Sequence, residues 1–150
     1  MSRFVFRLAP VLRVREAARD ECRAALAEAY RVDDVLRRQW DAIQAEWVEL
    51  VNLCRRVAGP GTVDVDRLVE SQRYELSLKS RQVAVGRQRD VVAAEIDRRR
   101  QSLVEADREV RVLEKLRERQ AEQYRAQEER REVQRLDEVA QQQAVREVAT

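Results

Sequence analysis

One strong helix breaker, Gly59-Pro60-Gly61, divides 150 residues. The other glycine is Gly86 and the other proline is Pro10. Pro10 fits the first turn of a helix and would be costly deeper inside one. Sheets and loop-rich folds need frequent turn residues, so a chain with so few breakers is confined to long helices. Gly59 suits the left-handed position that ends a helix, and Pro60 cannot continue it. Thr62 or Asp64 can cap the next helix, with Asp66 in its first turn where the helix dipole favours an acid. The chain therefore reads as helix one over about 10–57, a turn over 58–64 and helix two over about 65–148.

The apolar pattern agrees. In helix one the inward set is Leu8, Val11, Ala18, Cys22, Ala25, Ala29, Val32, Leu36, Trp40, Ile43, Trp47, Leu50, Cys54 and Val57. Spacings of three and four alternate, with one extra four at Leu36–Trp40 that reads as a stutter. In helix two the set is Leu78, Gln82, Val85, Arg89, Val92, Ile96, Arg99, Leu103, Ala106, Val110 and Leu113, running on through Arg117, Gln120 and Tyr124. These are coiled-coil periods. Two long helices joined by a short turn form an antiparallel hairpin. The expected fold is all-α, a single long two-helix coiled-coil hairpin over residues 1–150.

Folding about Pro60 sets residue k opposite residue 120 − k. Trp40, Ile43 and Trp47 then face Tyr74 and Leu78, while Phe4, Phe6 and Leu8 face Leu113 and Leu116. At 1.5 Å per residue helix one is about 70 Å long and helix two about 125 Å, so helix two overhangs past residue 115 or so. Gln82, Arg89 and Arg99 interrupt the seam, their stems packing while their polar ends reach water. Gly86 softens helix two. The overhang, Gln120 to Thr150, is rich in Glu, Gln and Arg, has no continuous apolar stripe, and alone would be a marginal helix.

Composition removes most functional classes. Charged residues make up 39% of the chain, yet 30 basic and 28 acidic residues leave a net charge of +2. Interspersed signs give no field to hold a nucleic acid. There is no histidine, hence none of the commonest metal ligand or general base. Cys22 and Cys54 stand alone without a CxxC motif and fit a reducing compartment. No apolar run is long enough to span a membrane, and the start lacks a signal-peptide core. These features predict a cytoplasmic protein with no catalytic residue, no metal and no cofactor.

The charges read as a solvated helix surface. Asp33/Arg37, Asp34/Arg38, Glu95/Arg99 and Asp107/Arg111 are four apart and pair along one helix. Arg98, Arg99 and Arg100 point in different directions and form no common patch. Arg3, Arg7, Arg13 and Arg15 make the N-terminus locally basic, as a solubilising flank or as a dock for an acidic partner or a membrane surface. Trp40 and Trp47 are bulky for a two-helix seam. They serve packing near the turn, a partner-binding patch with Leu68, Tyr74 and Leu78, or both.

Three stretches go further. The opening Arg3-Phe-Val-Phe-Arg-Leu-Ala-Pro-Val-Leu-Arg-Val-Arg-Glu16 resembles the start of the flagellar export protein FliJ family. The run Glu105-Ala-Asp-Arg-Glu-Val-Arg-Val-Leu-Glu-Lys-Leu-Arg-Glu-Arg119, with Tyr124 five residues on, is similar to the family's second helix. Leu136-Asp-Glu-Val-Ala140 resembles its closing motif. The resemblance implies a non-enzymatic component of the flagellar type III export apparatus. Its implied partners are the hexameric export ATPase, into which the hairpin inserts as a stalk, and the cytoplasmic domain of the export gate. Export substrates or their chaperones are further implied partners, and the implied location is the inner face of the cell membrane at the flagellar base. By the same analogy Leu113, Leu116, Arg117 and Tyr124 face the ATPase, and Trp40, Ile43, Trp47, Tyr74 and Leu78 face the gate. Two other readings of a charged coiled coil stay open: a structural protein that self-associates through the overhang, and the stalk of a related injectisome or rotary ATPase.

Overall fold

A computed structural model describes residues 4–61 and 63–148. Two helices, α1 (Ala9–Val57) and α2 (Val65–Val148), account for all regular structure among these residues. Their contacts are those of an antiparallel hairpin, the expected fold. Arg3 and Thr62 lie outside the described residues. Pro10 sits in the first turn of α1, where its missing N–H needs no partner.

Local chemistry explains the ends. The Ala58 N–H donates to the Cys54 carbonyl at 2.9 Å, and the Gly59 N–H donates to the Arg56 carbonyl at 3.4 Å. That second bond tightens the last turn of α1 before Pro60. The left-handed residue expected at Gly59 lies instead at Gly61, with φ 154°; no other described residue has positive φ. The reason is Pro60, whose ring drives the preceding residue towards extended backbone. A Cβ built on Gly61 meets nothing within 4 Å, so the backbone angle alone calls for glycine there. Of the two candidate caps, Asp64 is the one described. Its Oδ1 accepts from the N–H groups of Asp66 at 3.1 Å and Arg67 at 3.3 Å, satisfying two donors that the start of α2 leaves open.

The chain divides into two compact units, Met1–Asp20 with Val104–Thr150, and Glu21–Leu103. In the second unit, Ile43, Leu50, Leu78 and Val85 are buried together, with Trp40, Trp47 and Cys54 packed against them. The α1 residues turned inward are Cys22, Leu26, Ala29, Asp33, Leu36, Trp40, Ile43, Trp47, Leu50, Cys54 and Val57. Those steps alternate four and three without exception, so the expected stutter at Leu36–Trp40 is absent. It arose from taking Ala25 and Val32 as inward; both are exposed. Helical phase places Leu26 and Asp33 in the seam, and Asp33 is tolerated because it is only partly covered. On α2 the seam runs through Ser71, Glu75, Leu78, Gln82, Val85, Arg89, Val92, Ile96, Arg99 and Leu103, including the polar positions the periodicity predicts.

In the first unit, Phe6, Leu12 and Val110 are buried, joined by Phe4, Ala9, Leu113 and Leu116. Leu8 and Val11, expected inward, are exposed. Phe6 precedes α1 and is free of its periodicity, and Leu12 rather than Val11 is in phase with the seam. Phe4 stacks at a tilt on Tyr124, ring centroids 5.8 Å apart, and Arg15 pairs with Glu109 at 2.8 Å. The inward line of α2 passes through Leu116, while Arg117, expected in it, is exposed. From Glu129 to Val145 every residue is exposed, so α2 overhangs, as expected.

Contacting pairs sit slightly off the 120 − k rule. Glu46 meets Tyr74, but Trp47 meets Lys79 and Trp40 meets Arg89, pairs whose numbers add to 120, 126 and 129. Helical side chains lean towards their own N-terminus. On α1 that is away from the turn and on α2 towards it, so both leanings raise the number of the α2 partner.

Candidate partner-binding faces

The five residues expected to meet the gate play different parts. Ile43 and Leu78 are 3% and 0% exposed. They form the floor, and a partner cannot touch them while the hairpin is closed. Trp40 and Trp47 are half-buried above it. Each carries a cation from α2 on its ring: the Arg89 guanidinium lies 5.6 Å from the Trp40 ring centre and the Lys79 ammonium 5.9 Å from that of Trp47. Lys79 is held there by Glu75 at 2.7 Å. Arg100 repeats the arrangement over Tyr30 at 5.6 Å. Such contacts offset part of the cost of leaving large rings at a two-helix seam. The Arg89 Nε is buried without a hydrogen-bond partner.

Tyr74 is 43% exposed, and its hydroxyl donates to Glu46 Oε2 at 2.6 Å. Glu46 also accepts two bonds from Arg81, at 2.8 and 3.1 Å. The Arg81 guanidinium and then the Tyr74 hydroxyl hold the Glu46 carboxyl below the usual carboxylate range. The bond to Glu46 in turn raises the Tyr74 hydroxyl. Tyr74 is thus an exposed ring held in one orientation. Sequence reading did not single out Glu46 or Arg81. The available signal is their position: each immediately precedes a seam residue, Trp47 and Gln82, and such flanking positions meet across an antiparallel pair. Two shallow grooves border this end, one lined by Leu50, Leu53, Val57, Arg67 and Tyr74, the other by Trp47, Val51, Cys54 and Glu75.

The four residues expected to meet the ATPase also divide. Leu113 and Leu116 are half-buried on the Phe6–Leu12–Val110 cluster. Tyr124 is half-buried against Phe4. Arg117 is exposed and pairs with nothing among the described residues.

The surface charges pair along their helices. Asp34 binds Arg38 at 2.7 Å, Glu95 binds Arg99 at 2.6 Å and Asp107 binds Arg111 at 2.9 Å. Arg37 pairs with Asp34 at 2.8 Å and not with Asp33 as expected, because Asp33 is turned to the seam. Arg98 and Arg99 both bind Glu95, whereas Arg100 binds Tyr30, so the three arginines form no patch. Cys22 and Cys54 are free. Among the described residues no group of three or more His, Cys, Asp or Glu could hold a metal, and no helix is long and apolar enough to cross a membrane.

The model of one protein family, Flagellar FliJ protein, matches residues 4–149, nearly the whole hairpin. The chain belongs to the flagellar FliJ family. It is therefore a component of the flagellar export apparatus, in a family of structural export proteins that are generally not enzymes. No curated protein and no solved structure matches the chain. The FliJ match covers both clusters and the overhang.

Proposed function

We propose that this FliJ-family chain is the stalk of the flagellar export ATPase. In this reading it inserts into the hexameric ATPase, promotes its assembly and activity, and links it to the cytoplasmic domain of the export gate, with a chaperone-like role towards export substrates or their chaperones. It works in the cytoplasm, at the inner face of the cell membrane beneath the flagellum. The observation that carries the reading is family membership across residues 4–149, on a two-helix hairpin. Leu113, Leu116, Arg117 and Tyr124 are assigned to the ATPase. Trp40, Trp47 and Tyr74 are assigned to the gate, with Ile43 and Leu78 as the packed floor beneath them.

The experiment is ATP hydrolysis by the flagellar export ATPase of the same organism with this protein titrated in. Saturable stimulation near one copy per ring is the expected result. No stimulation and no co-elution, from a protein that is helical by circular dichroism, would refute the stalk reading.

A further inference from the structure

The overhang of α2 carries a short apolar stripe that the seam does not explain. Up to Tyr124 the inward positions of α2 follow a repeat of threes and fours, Ala106, Val110, Leu113, Leu116, Gln120 and Tyr124. Continued at the same spacing, that repeat meets Gln127, Arg131, Gln134, Glu138 and Gln141, which could not extend the seam. Val145 alone is apolar at the next step, and Val139 lies off both lines; the other apolar residues described beyond Tyr124 share a different face. Ala126, Val133, Leu136 and Ala140 fall at steps of seven, three and four, so they share one face. At about 100° per residue that face is on roughly the opposite side of α2 from the seam. Val133 and Leu136 are each 58% exposed.

The charges beside the stripe indicate what fits it. Four of the charged residues around it pair within the helix: Arg131 with Glu128 at 2.9 Å and Arg135 with Glu132 at 3.2 Å. Arg125, Glu129, Arg130, Asp137 and Glu138 have no partner among the described residues; Glu129 lies on the stripe's own face, one step before Val133, which leaves Arg130 and Asp137 as the unpaired charges along one edge. They are seven residues apart, of opposite sign, and on the same edge of the stripe. If two overhangs lie antiparallel with Val133 of each against Leu136 of the other, Arg130 of each comes within two residues, about 3 Å along the axis, of Asp137 of the other, which the long arginine side chain can span. One sequence thus supplies both halves of two identical ion pairs. Such self-complementarity is what a two-fold contact requires.

We propose that the stripe Val133–Leu136–Ala140 is a self-association surface, whose occupant is the same stripe of a second copy, antiparallel. The apolar area is small, so the dimer is weak and reversible and forms over the micromolar range. This proposal is independent of the stalk reading: it is read by sedimentation of the full chain alone, with no ATPase present.

The test is sedimentation equilibrium of the wild type and three variants over the micromolar range, with helicity checked by circular dichroism. Wild type should dimerise in a concentration-dependent way. Leu136→Glu, an exposed position that leaves the hairpin intact, should be monomeric. Arg130→Asp turns both ion pairs into repulsions and should raise the dimer dissociation constant on the order of tenfold. Adding Asp137→Arg to it should restore the wild-type value. A wild type that stays monomeric throughout overturns the proposal, as does a dimer that survives Leu136→Glu or ignores Arg130→Asp. A double reversal that fails to recover overturns the antiparallel pairing.

Discussion

Glu46 on α1 holds two residues of α2 at once, accepting the Tyr74 hydroxyl at 2.6 Å and the Arg81 guanidinium at 2.8 and 3.1 Å. It fixes the exposed tyrosine and ties the helices at one level. Both bonds favour the ionised carboxylate, so Glu46 releases its proton more readily in the folded state than in the unfolded one. Asp34, through Arg37, and Glu95, through Arg99, shift in the same direction. A lowered carboxylate contributes stability that is complete above its unfolded value and lost as pH falls through its folded value. With no histidine in the chain, the melting temperature should be flat from roughly pH 5.5 to 7.5 and fall below roughly pH 4.5. Glu46→Gln should melt lower than wild type at pH 7, and the two curves should converge in acid. Thermal melts followed by circular dichroism check this.

Leu78 and Tyr74 separate folding from binding at the same end. Leu78 has no exposed surface, so Leu78→Ala should destabilise the hairpin by about 2–5 kcal/mol in urea unfolding. Tyr74→Ala should keep the helical signal at low temperature. It should nonetheless weaken capture by the purified cytoplasmic domain of the export gate. Unchanged capture by Tyr74→Ala would remove the tyrosine from that face.

Gly86 lies beside a tryptophan but is not required there. A Cβ on Gly86 would meet the Trp40 ring at 3.7 Å, an ordinary contact, and the residue is mid-helix without positive φ. Gly86→Ala should therefore stabilise the hairpin, by up to about 1 kcal/mol. Urea unfolding measures it, and a loss of stability would mean that the Arg89–Trp40 arrangement needs the gap.

Arg117 tests the opposite assignment. It is exposed and unpaired among the described residues, so Arg117→Ala should leave the melting temperature unchanged. In the ATPase titration it should shift half-maximal stimulation to severalfold higher protein. Leu113→Ala should lower both stability and stimulation, because Leu113 packs on the Phe6–Leu12–Val110 cluster. Equal stimulation by wild type and Arg117→Ala would exclude Arg117 from the ATPase contact.

What the sequence revealed and what it hid follow from the range of each interaction. The turn, the extent of α2 and the polar seam positions Gln82, Arg89 and Arg99 are local or periodic properties, readable from spacing. Asp64 was readable as one of two caps. The displacement of the left-handed residue from Gly59 to Gly61 depends on the proline between them. Leu26 and Asp33 were missed because the eye follows the apolar neighbours Ala25 and Val32, whereas a helix keeps its phase whatever residue falls on it. At the sites, Trp40, Trp47 and Tyr74 stood out by type. That Ile43 and Leu78 are sealed beneath them, and that Arg89 and Lys79 lie over the rings, depends on the register between two helices. No single stretch encodes that register.

The placement of Val133 and Leu136 has a consequence for traffic around α2. Because their face is turned away from the line that meets α1, whatever engages it approaches from behind the hairpin. Phe4 can stay on Tyr124, and Leu12 on its cluster, while the overhang is occupied. Docking there adds a neighbour without evicting one, so engagement and release need not wait for the helices to part.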